Sequence, residues 1–317
     1  MSKKSDDFIK KYSKLVDDII KEFDKELKKR NVNVAQIKRR LLDVAYKQLY
    51  SLKKQRYNII KELLGETFAN AHAEEIKLAQ PNVAFDIKSL PKSTQQALIA
   101  MDCRSLNKML KVAENNYYNA LKACFREENF SQKLHAFIET RTETEQLLAG
   151  DKHYYEAIDD LETRLRKNTM CHIKTVDGER MFHMSVDAYA KMAINTAIQR
   201  TNNHASIETM QQVGHNWVRF TSHGWTCEDC ARYAEGRAYS LVKNDKYPYL
   251  YDLRGFRDGY LTLHPNCKHR IHGFWEESRT PEQLKKIQAI SGNFEDIRTE
   301  KNKLKYMQSQ LKYKRKK

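Results

Sequence analysis

The sequence predicts an α+β protein that is predominantly helical. It has a long N-terminal helical region, a small α+β module stabilised by a metal ion, and a basic C-terminal helix. Three observations lead to this prediction. The 317 residues include only 10 glycines and 5 prolines, so few positions interrupt a helix. Apolar residues recur at intervals of three and four through the first half, and a cluster of cysteines and histidines falls in the second half. We divide the chain into residues 1–168 (with an inner boundary near 81–94), 169–279 and 280–317.

The first helices are predicted from apolar spacing. From Phe8 to Leu27 apolar residues lie three or four positions apart, and after a break at Asn31-Val-Asn33 the same spacing resumes from Ile37 to Leu63. This spacing places apolar side chains on one face of a helix. We therefore expect amphipathic helices that pack on one another or on a partner.

The next boundary is predicted at Leu90-Pro91. Proline cannot continue a helix, and Ser93 or Thr94 is a suitable cap for a helix that begins near Gln95. Further helices are expected to follow, with a break near Asn129.

The pattern changes at residue 170. Residues 170–184 alternate loosely around Asp177-Gly178, a dipeptide that accepts the positive φ angles of a tight turn, and so predict a β-hairpin. Ser185 is the predicted cap of a long helix that reaches about Val213. We consider a break in this helix near Asn202-Asn203.

A metal site is predicted from two pairs of residues with the same spacing. A strand over residues 216–222 leads to Cys227-x-x-Cys230, and 34 residues later comes His264-Pro-Asn-Cys267-Lys-His269. Zn²⁺ prefers four thiolate or imidazole ligands, and a gap of two residues lets one turn present both members of a pair. We predict one structural Zn²⁺ bound by Cys227, Cys230, Cys267 and either His264 or His269.

Other interpretations of these residues are weaker. His223 and His272 are less favoured ligands, since a basic loop with several histidines often uses only one of them for metal. Disulfides are not expected, because the N-terminus does not resemble a signal peptide and a reducing cytosol favours metal binding. No apolar run is long enough to span a bilayer, so we predict no membrane partner. The cysteines outside the cluster are expected to be buried or incidental: Cys103, Cys124 and Cys171.

The C-terminal region is predicted to be helical. Thr280, Pro281 and Gln283 form a helix start signal, and Gly292-Asn293 interrupts the helix. A basic helix is expected from about Phe294 onward. Its thin apolar stripe, which needs a partner, consists of Ile297, Leu304, Met307 and Leu311.

The positive charge is concentrated at the two ends of the chain. Residues 1–63 have 18 Lys and Arg against 9 Asp and Glu, and residues 300–317 have 8 against 1, whereas residues 217–280 have 10 against 8. Basic ends favour a polyanion or an acidic protein surface as neighbour. The alternative is that they are solvated faces of long helices. The predicted contacts to DNA or a partner are Lys312, Lys314, Arg315, Lys316 and Lys317.

The second half of the chain resembles the Mu F-like head-morphogenesis and minor capsid family of phages. The resemblance lies in the run from Asn216 to Ser240, which includes Cys227-Glu-Asp-Cys230, and in Leu263-His-Pro-Asn-Cys-Lys-His269. The helix bearing Arg200-Thr201 is similar to the helix that leads into the family's module. Two positions depart from the family pattern, since Lys268 stands where arginine is usual and Asn202 where an acidic residue is common.

This resemblance implies a structural virion protein rather than a catalyst, and no catalytic residue is assigned. The resemblance also implies a place at the portal vertex or inner capsid, a role in head morphogenesis and genome delivery, and assembly in the host cytoplasm. The implied partners are the portal protein, the major capsid protein, or both, together with packaged double-stranded DNA bound without sequence preference. The family's last motif position is Cys or His, which supports His269 as a ligand.

Two other functions remain open from the sequence. A zinc-dependent nucleic-acid enzyme, such as a nuclease or a toxin, needs an open zinc position and a general base, and Glu228 or Glu235 is available as that base. The order of residues expected for a zinc deaminase is absent. A host zinc-ribbon DNA-binding protein is the second alternative, but the nearly neutral cysteine segment argues against it.

Overall fold

A computed structural model describes residues 3–29, 33–143, 152–167, 169–175, 178–224, 226–243 and 245–315. It confirms the predicted fold class. The helices are α1 (Lys3–Leu27), α2 (Val34–Ala79), α3 (Lys92–Arg126), α4 (Glu128–Glu143), α5 (Lys152–Lys167), α6 (Val186–Gln212), α7 (Glu228–Tyr233), α8 (Arg254–Arg257), α9 (Pro281–Ser291) and α10 (Glu300–Arg315). The strands are β1 (Thr169–Thr175), β2 (Gly178–Met184), β3 (Trp217–Phe220), β4 (Ala238–Ser240) and β5 (Ile271–Gly273).

Contacts within the chain define two compact units. The first unit comprises Met1–Leu63, Arg104–Ile173 and Met181–Ile194. The second unit comprises Leu64–Cys103, Lys174–Arg180 and Asn195–Lys317. The division into residues 1–168, 169–279 and 280–317 stays a prediction. No helix in the described part of the chain has the length and apolar character needed to cross a membrane.

The first unit is a helical assembly with a buried polar cluster. α1 packs on α5, which also packs on α4, and the buried face of α1 includes Phe8 and Tyr12. Tyr12 donates a hydrogen bond to Glu114 of α3 over 3.0 Å, and Glu114 also pairs with the buried Arg56 of α2. Arg56 Nε donates to Asn107 Oδ1 over 2.7 Å. Because each buried charge has a partner, this cluster can join α1, α2 and α3 without leaving a charge unpaired.

Two helix starts in the N-terminal half illustrate how local signals act. Asn33 Oδ1 accepts from Gln36 N over 2.9 Å while Asn33 N donates to Gln36 Oε1 over 3.2 Å, a reciprocal cap that starts α2 after the predicted break. The predicted start of α3 near Gln95 is wrong. The helix begins at Lys92, directly after Pro91, because the Pro91 carbonyl already accepts a hydrogen bond from Gln95 N over 3.1 Å.

The predicted hairpin is confirmed by the pairing of β1 with β2 in a two-stranded sheet. Residues 176 and 177, which include Asp177 of the predicted turn, lie outside the described residues.

The second unit is built around a three-stranded antiparallel sheet of order β4-β3-β5. Val218 in the central strand lies opposite Tyr239 on one side and Gly273 on the other. Val218 and Phe220 are buried, whereas Trp217 and Arg219 are half-buried, as expected of a strand with one core face. The Phe220 ring makes edge contacts with Tyr239 and Phe256 at centroid distances of 5.6 and 5.7 Å.

Helix α6 is continuous from Val186 to Gln212, so the considered break near Asn202-Asn203 is wrong. Asn203 is fully buried. Its amide donates to Leu261 O over 2.7 Å and accepts from Ile271 N over 3.0 Å. The asparagine therefore ties the helix to two other segments of the unit and does not compete with the helical backbone.

Arg200 and Thr201, which carry part of the family resemblance, share one buried partner. Arg200 Nε lies 2.7 Å from Asp102 Oδ1, and Thr201 Oγ1 donates to Asp102 Oδ2 over 2.8 Å. Asp102 is buried in α3. The pair thus links α6 to α3 within the second unit.

The C-terminal segment confirms one predicted helix start and corrects another. Thr280 and Gln283 form the predicted capping box of α9. The basic helix, however, begins at Glu300 and not near Phe294. The reason is the fully buried Arg237, whose guanidinium donates to the Asn293 carbonyl and to the Glu295 carbonyl over 2.8 Å. These carbonyls belong to the non-helical connection between α9 and α10.

Candidate metal centre

The first cysteine pair is presented by the start of α7. Cys227 is the N-cap of this helix, with φ −66° and ψ 167°, and its sulfur accepts from Cys230 N over 3.4 Å. Cys230 lies in the first turn. A single helical turn therefore directs both sulfurs to the same side, as the spacing predicts.

The second pair is presented by a tight turn. Cys267 N donates to His264 O over 3.1 Å, and Asn266 has a φ of +60°. Proline at the second position and a residue with positive φ at the third fit a type II turn. The sequence His264-Pro265-Asn266-Cys267 thus determines locally that the imidazole and the thiol lie close together.

Three side chains of α6 hold this second segment, and none of them is predicted from the sequence as part of the site. Thr196 Oγ1 accepts from Asn266 N over 3.1 Å, and Gln199 Nε2 donates to His269 O over 2.7 Å. Asn203 binds the flanking backbone as described above. The three residues lie three and four positions apart on one helical face. Because polar residues occur around much of α6, no sequence signal distinguishes these three from their neighbours.

The five predicted ligands form one cluster. Cys230 Sγ lies 3.6 Å from Cys267 Sγ and 2.9 Å from His264 Nε2. Cys227 Sγ lies 3.1 Å from His264 Nε2, and Cys267 Sγ lies 3.8 Å from His269 Nδ1. Two ligands on a tetrahedral zinc are separated by roughly 3.7 Å, given metal–ligand bonds of about 2.0–2.3 Å. The donors form two triads that share Cys230 and can hold a metal ion.

Both imidazoles are oriented as metal ligands. His264 Nδ1 lies 2.8 Å from the Pro265 carbonyl, and His269 Nε2 lies 2.9 Å from Glu235 Oε2. Since a carbonyl or a carboxylate only accepts hydrogen bonds, these nitrogens carry the protons. The other ring nitrogens, His264 Nε2 and His269 Nδ1, then face the sulfurs, which is the arrangement that outer partners impose on metal-binding histidines.

Glu235 is a buried carboxylate with several donors. Besides His269, it accepts from Ser222 Oγ, from His223 N over 2.7 Å and from Gly224 N over 2.9 Å. Burial raises the pKa of Glu235, but hydrogen bonds from His269, Ser222 and Gly224 outweigh it and hold the pKa at about 2. The ionised carboxylate fixes His269. Conversely, burial lowers the pKa of His269, and Cys267 and Glu235 together raise it to about 9.

The cluster stabilises negative sulfur. Contact with Cys230 and with His264 lowers the pKa of Cys227 to about 4. Contact with Cys230 also lowers the pKa of Cys267 well below its usual value, while the two neighbouring sulfurs raise the pKa of Cys230. Burial lowers the pKa of His264, but Cys227 and Cys267 raise it to about 10. The thiolate is the form of cysteine that binds metal, so a divalent cation would replace the shared protons.

The less favoured histidines bind other groups. His223 Nε2 lies 3.1 Å from the Lys268 carbonyl, and His272 Nδ1 lies 3.0 Å from Glu75 Oε2. Cys103 and Cys124 are buried outside the cluster, in agreement with the expectation for them. The Cys171 side chain lies outside the described part of the structure.

The predicted DNA or partner contacts fall at the end of the chain. Lys312, Lys314 and Arg315 belong to the last turns of α10. Lys316 and Lys317 lie outside the described residues.

Comparison with known families gives one match. The family model for phage minor capsid protein 2 matches residues 1–316. No curated protein and no solved structure matches the chain. The match spans both units and extends well beyond residues 216–240 and 263–269, which carry the resemblance seen in the sequence.

Proposed function

The chain belongs to the phage minor capsid protein 2 family, and from this membership we propose that it acts at the portal vertex or inner capsid in head morphogenesis and genome delivery. The family confirms the predicted resemblance to phage minor capsid proteins and implies a structural component of the virion. The observation that carries the proposal is the family match over residues 1–316.

The metal centre has a structural role in this proposal. One Zn²⁺ would be bound by Cys227, Cys230, Cys267 and His264. We choose His264 because its Nε2 contacts both sulfurs of the pair presented by α7, Cys227 and Cys230, whereas His269 Nδ1 makes its sulfur contact with Cys267 of its own segment. Bound zinc would link the α7 turn to the His264–Cys267 turn. Residues 234–263, which include β4 and α8, separate these two turns in the chain, and such a link stabilises a small core.

A catalytic zinc is less well supported. Catalytic sites keep one coordination position open and place a general base beside it. Here the two triads together offer five protein donors, one more than a tetrahedral zinc needs. Glu235 accepts hydrogen bonds from four groups, and Glu228 pairs with Arg232 on the surface of α7. Both candidate bases are therefore committed to structural partners.

The proposed partners are the portal protein or the major capsid protein, and packaged double-stranded DNA. The basic ends support the contact with DNA, because lysine and arginine neutralise phosphate without reading sequence. The segment 217–280 has nearly balanced charge. It is therefore suited to a structural role more than to the recognition of a DNA site.

The proposal predicts that particles contain this chain. In particles purified from a host infected with the encoding phage, quantitative mass spectrometry is expected to find it in fewer copies than the major capsid protein. Cryo-electron microscopy should locate it at the portal vertex or on the inner capsid surface. A chain that is abundant in the lysate but absent from purified particles would contradict a role in the virion.

A second prediction concerns DNA. The full chain is expected to bind duplex DNA weakly, with an affinity that falls steeply as salt rises. Removing residues 312–317, which contain five basic residues, should reduce the log–log salt slope by up to about 4.5, because each neutralised phosphate contributes about 0.9. Fluorescence anisotropy over a range of salt concentrations measures the slope.

The matched control for this truncation keeps the chain length constant. Replacement of Lys312, Lys314, Lys316 and Lys317 by glutamine should flatten the slope in the same way and leave the zinc content unchanged. Binding that does not respond to salt or to these changes would argue that the end of the chain faces solvent or an acidic protein.

A further inference from the structure

One side of α10, its inner side, is partly buried against other segments of the second unit. Asn302, Tyr306 and Ser309 are half-buried on one side of this helix. Burial and the charge of the Cys227 and Cys230 sulfurs raise the pKa of Tyr306. The inner side therefore already has its packing partner.

The connection before α10 is also anchored. Arg298 pairs with Asp296 over 2.6 Å and donates to the Thr226 carbonyl over 3.1 Å, next to the first cysteine. Together with the contacts of Arg237, this holds the start of the helix in a defined position.

The opposite side of α10 is apolar and exposed. Leu304, Met307 and Leu311 are 53%, 51% and 55% exposed, and we call these three residues the outer stripe. At roughly 100° per residue they span about 60° of the helix circumference, on the side away from Tyr306. An amphipathic helix normally directs its apolar stripe to the core. Here the stripe points away from the unit that holds the helix.

The positive charge of α10 restricts which molecules can bind the outer stripe. The described helix has six basic residues against one acidic residue, Glu300. Two copies packed along this stripe would bring like charges together, which opposes association. Charge thus disfavours a second copy of the chain.

DNA does not account for the stripe either. Phosphate contacts use lysine and arginine, and leucine or methionine gains little beside phosphate. An apolar stripe flanked by basic residues is typical of a helix that enters a groove on another protein.

We propose that the outer stripe of α10 docks into an apolar groove with an acidic rim on another protein of the virion. This inference rests on the proposed function and adds to it the surface and the chemistry of the partner. The leucines and the methionine fill the groove, and the flanking Lys301 and Lys305 face the acidic rim. The basic end beyond the stripe stays available for DNA.

The test measures how much of this chain is incorporated into particles. It uses a phage that lacks its own copy of the gene and receives the full chain in trans. Mass spectrometry gives the ratio of this chain to the major capsid protein. Leu304→Gln/Leu311→Gln should lower that ratio at least tenfold, and so should Lys301→Glu/Lys305→Glu. The matched control is Leu78→Gln/Val112→Gln, which changes two other exposed apolar residues and should be incorporated like the wild type.

The same purified variants also test whether the protein still folds and whether a second copy of the chain or DNA binds the outer stripe instead. Each should keep its thermal midpoint and its metal content, and the leucine variant should also keep its affinity for duplex DNA. Met307→Gln alone serves if the double leucine variant is unstable. Normal incorporation of the leucine variant overturns the docking surface, and normal incorporation of the lysine variant overturns the acidic rim. A wild-type dimer in sedimentation that the leucine variant loses, or a loss of DNA affinity in that variant, also overturns the proposal. Absence of the wild-type chain from particles would instead refute the proposed function.

Discussion

Replacing Cys267 by serine is expected to unfold the second unit and abolish metal binding. Cys267 is buried, lies 3.6 Å from Cys230 Sγ and is one of the proposed ligands. Structural zinc contributes about 10–16 kcal/mol of apparent binding free energy in small zinc-dependent peptides, where binding and folding are coupled. Loss of one thiolate should therefore lower the free energy of unfolding of this unit by more than about 5 kcal/mol. The helices of the first unit should keep their circular dichroism signal.

The measurements are metal analysis after dialysis and thermal unfolding by circular dichroism. The matched control is Cys103→Ser, the same change at a buried cysteine of the second unit outside the cluster. It should cost only about 1–3 kcal/mol, the penalty for burying a hydroxyl, and leave one zinc per chain. Dialysed wild type without zinc, or a Cys267→Ser variant of unchanged stability, would refute the structural metal centre.

Single replacements of the two histidines decide the fourth ligand. We expect His264→Asn to lose the metal, because its Nε2 contacts two sulfurs. His269→Asn should retain it with lower affinity, since removing the imidazole leaves the buried Glu235 without one donor. The reverse result would assign His269 as the ligand and Glu235 as the group that orients it.

Gly255→Ala is expected to be the most disruptive change outside the metal ligands. A Cβ atom at this position would lie 1.8 Å from the Thr262 carbonyl oxygen and 3.3 Å from Leu263 Cα. Because both contacts are with backbone, the crossing segment must move. We expect a destabilisation of more than about 4 kcal/mol, the range of exceptional single substitutions. The displaced segment leads directly to His264, so metal affinity should also fall.

The matched control for this prediction is Gly65→Ala. Gly65 lies within α2 in the same unit, and a Cβ there meets nothing within 4 Å. Alanine should stabilise the helix by about 0.5–1 kcal/mol, because glycine loses more backbone entropy on folding. Urea unfolding compares the two variants. If the Gly255→Ala protein is as stable as the Gly65→Ala protein, the backbone of Thr262 and Leu263 does not pass close to Gly255, and the prediction is wrong.

The sequence by itself determined the features that depend on neighbouring residues. Thr280 and Gln283 form a capping box within one turn, and Pro265-Asn266 fixes the turn that joins His264 to Cys267. The spacing of Cys227 and Cys230 likewise places both sulfurs at the start of one helix. These interactions are local, so the residue types and their spacing suffice to predict them.

Only the tertiary structure decided the features that depend on distant segments. The sequence suggested a break at Asn203, but its buried amide binds residues 58 and 68 positions away, and the helix continues. It offered Glu235 as a general base, whereas the fold surrounds this carboxylate with donors that orient His269. The outer stripe was visible as a pattern, but which side of α10 packs against the unit was not. The physical reason is that burial and pairing depend on the packing of segments far apart in the chain, and local propensity does not contain that information.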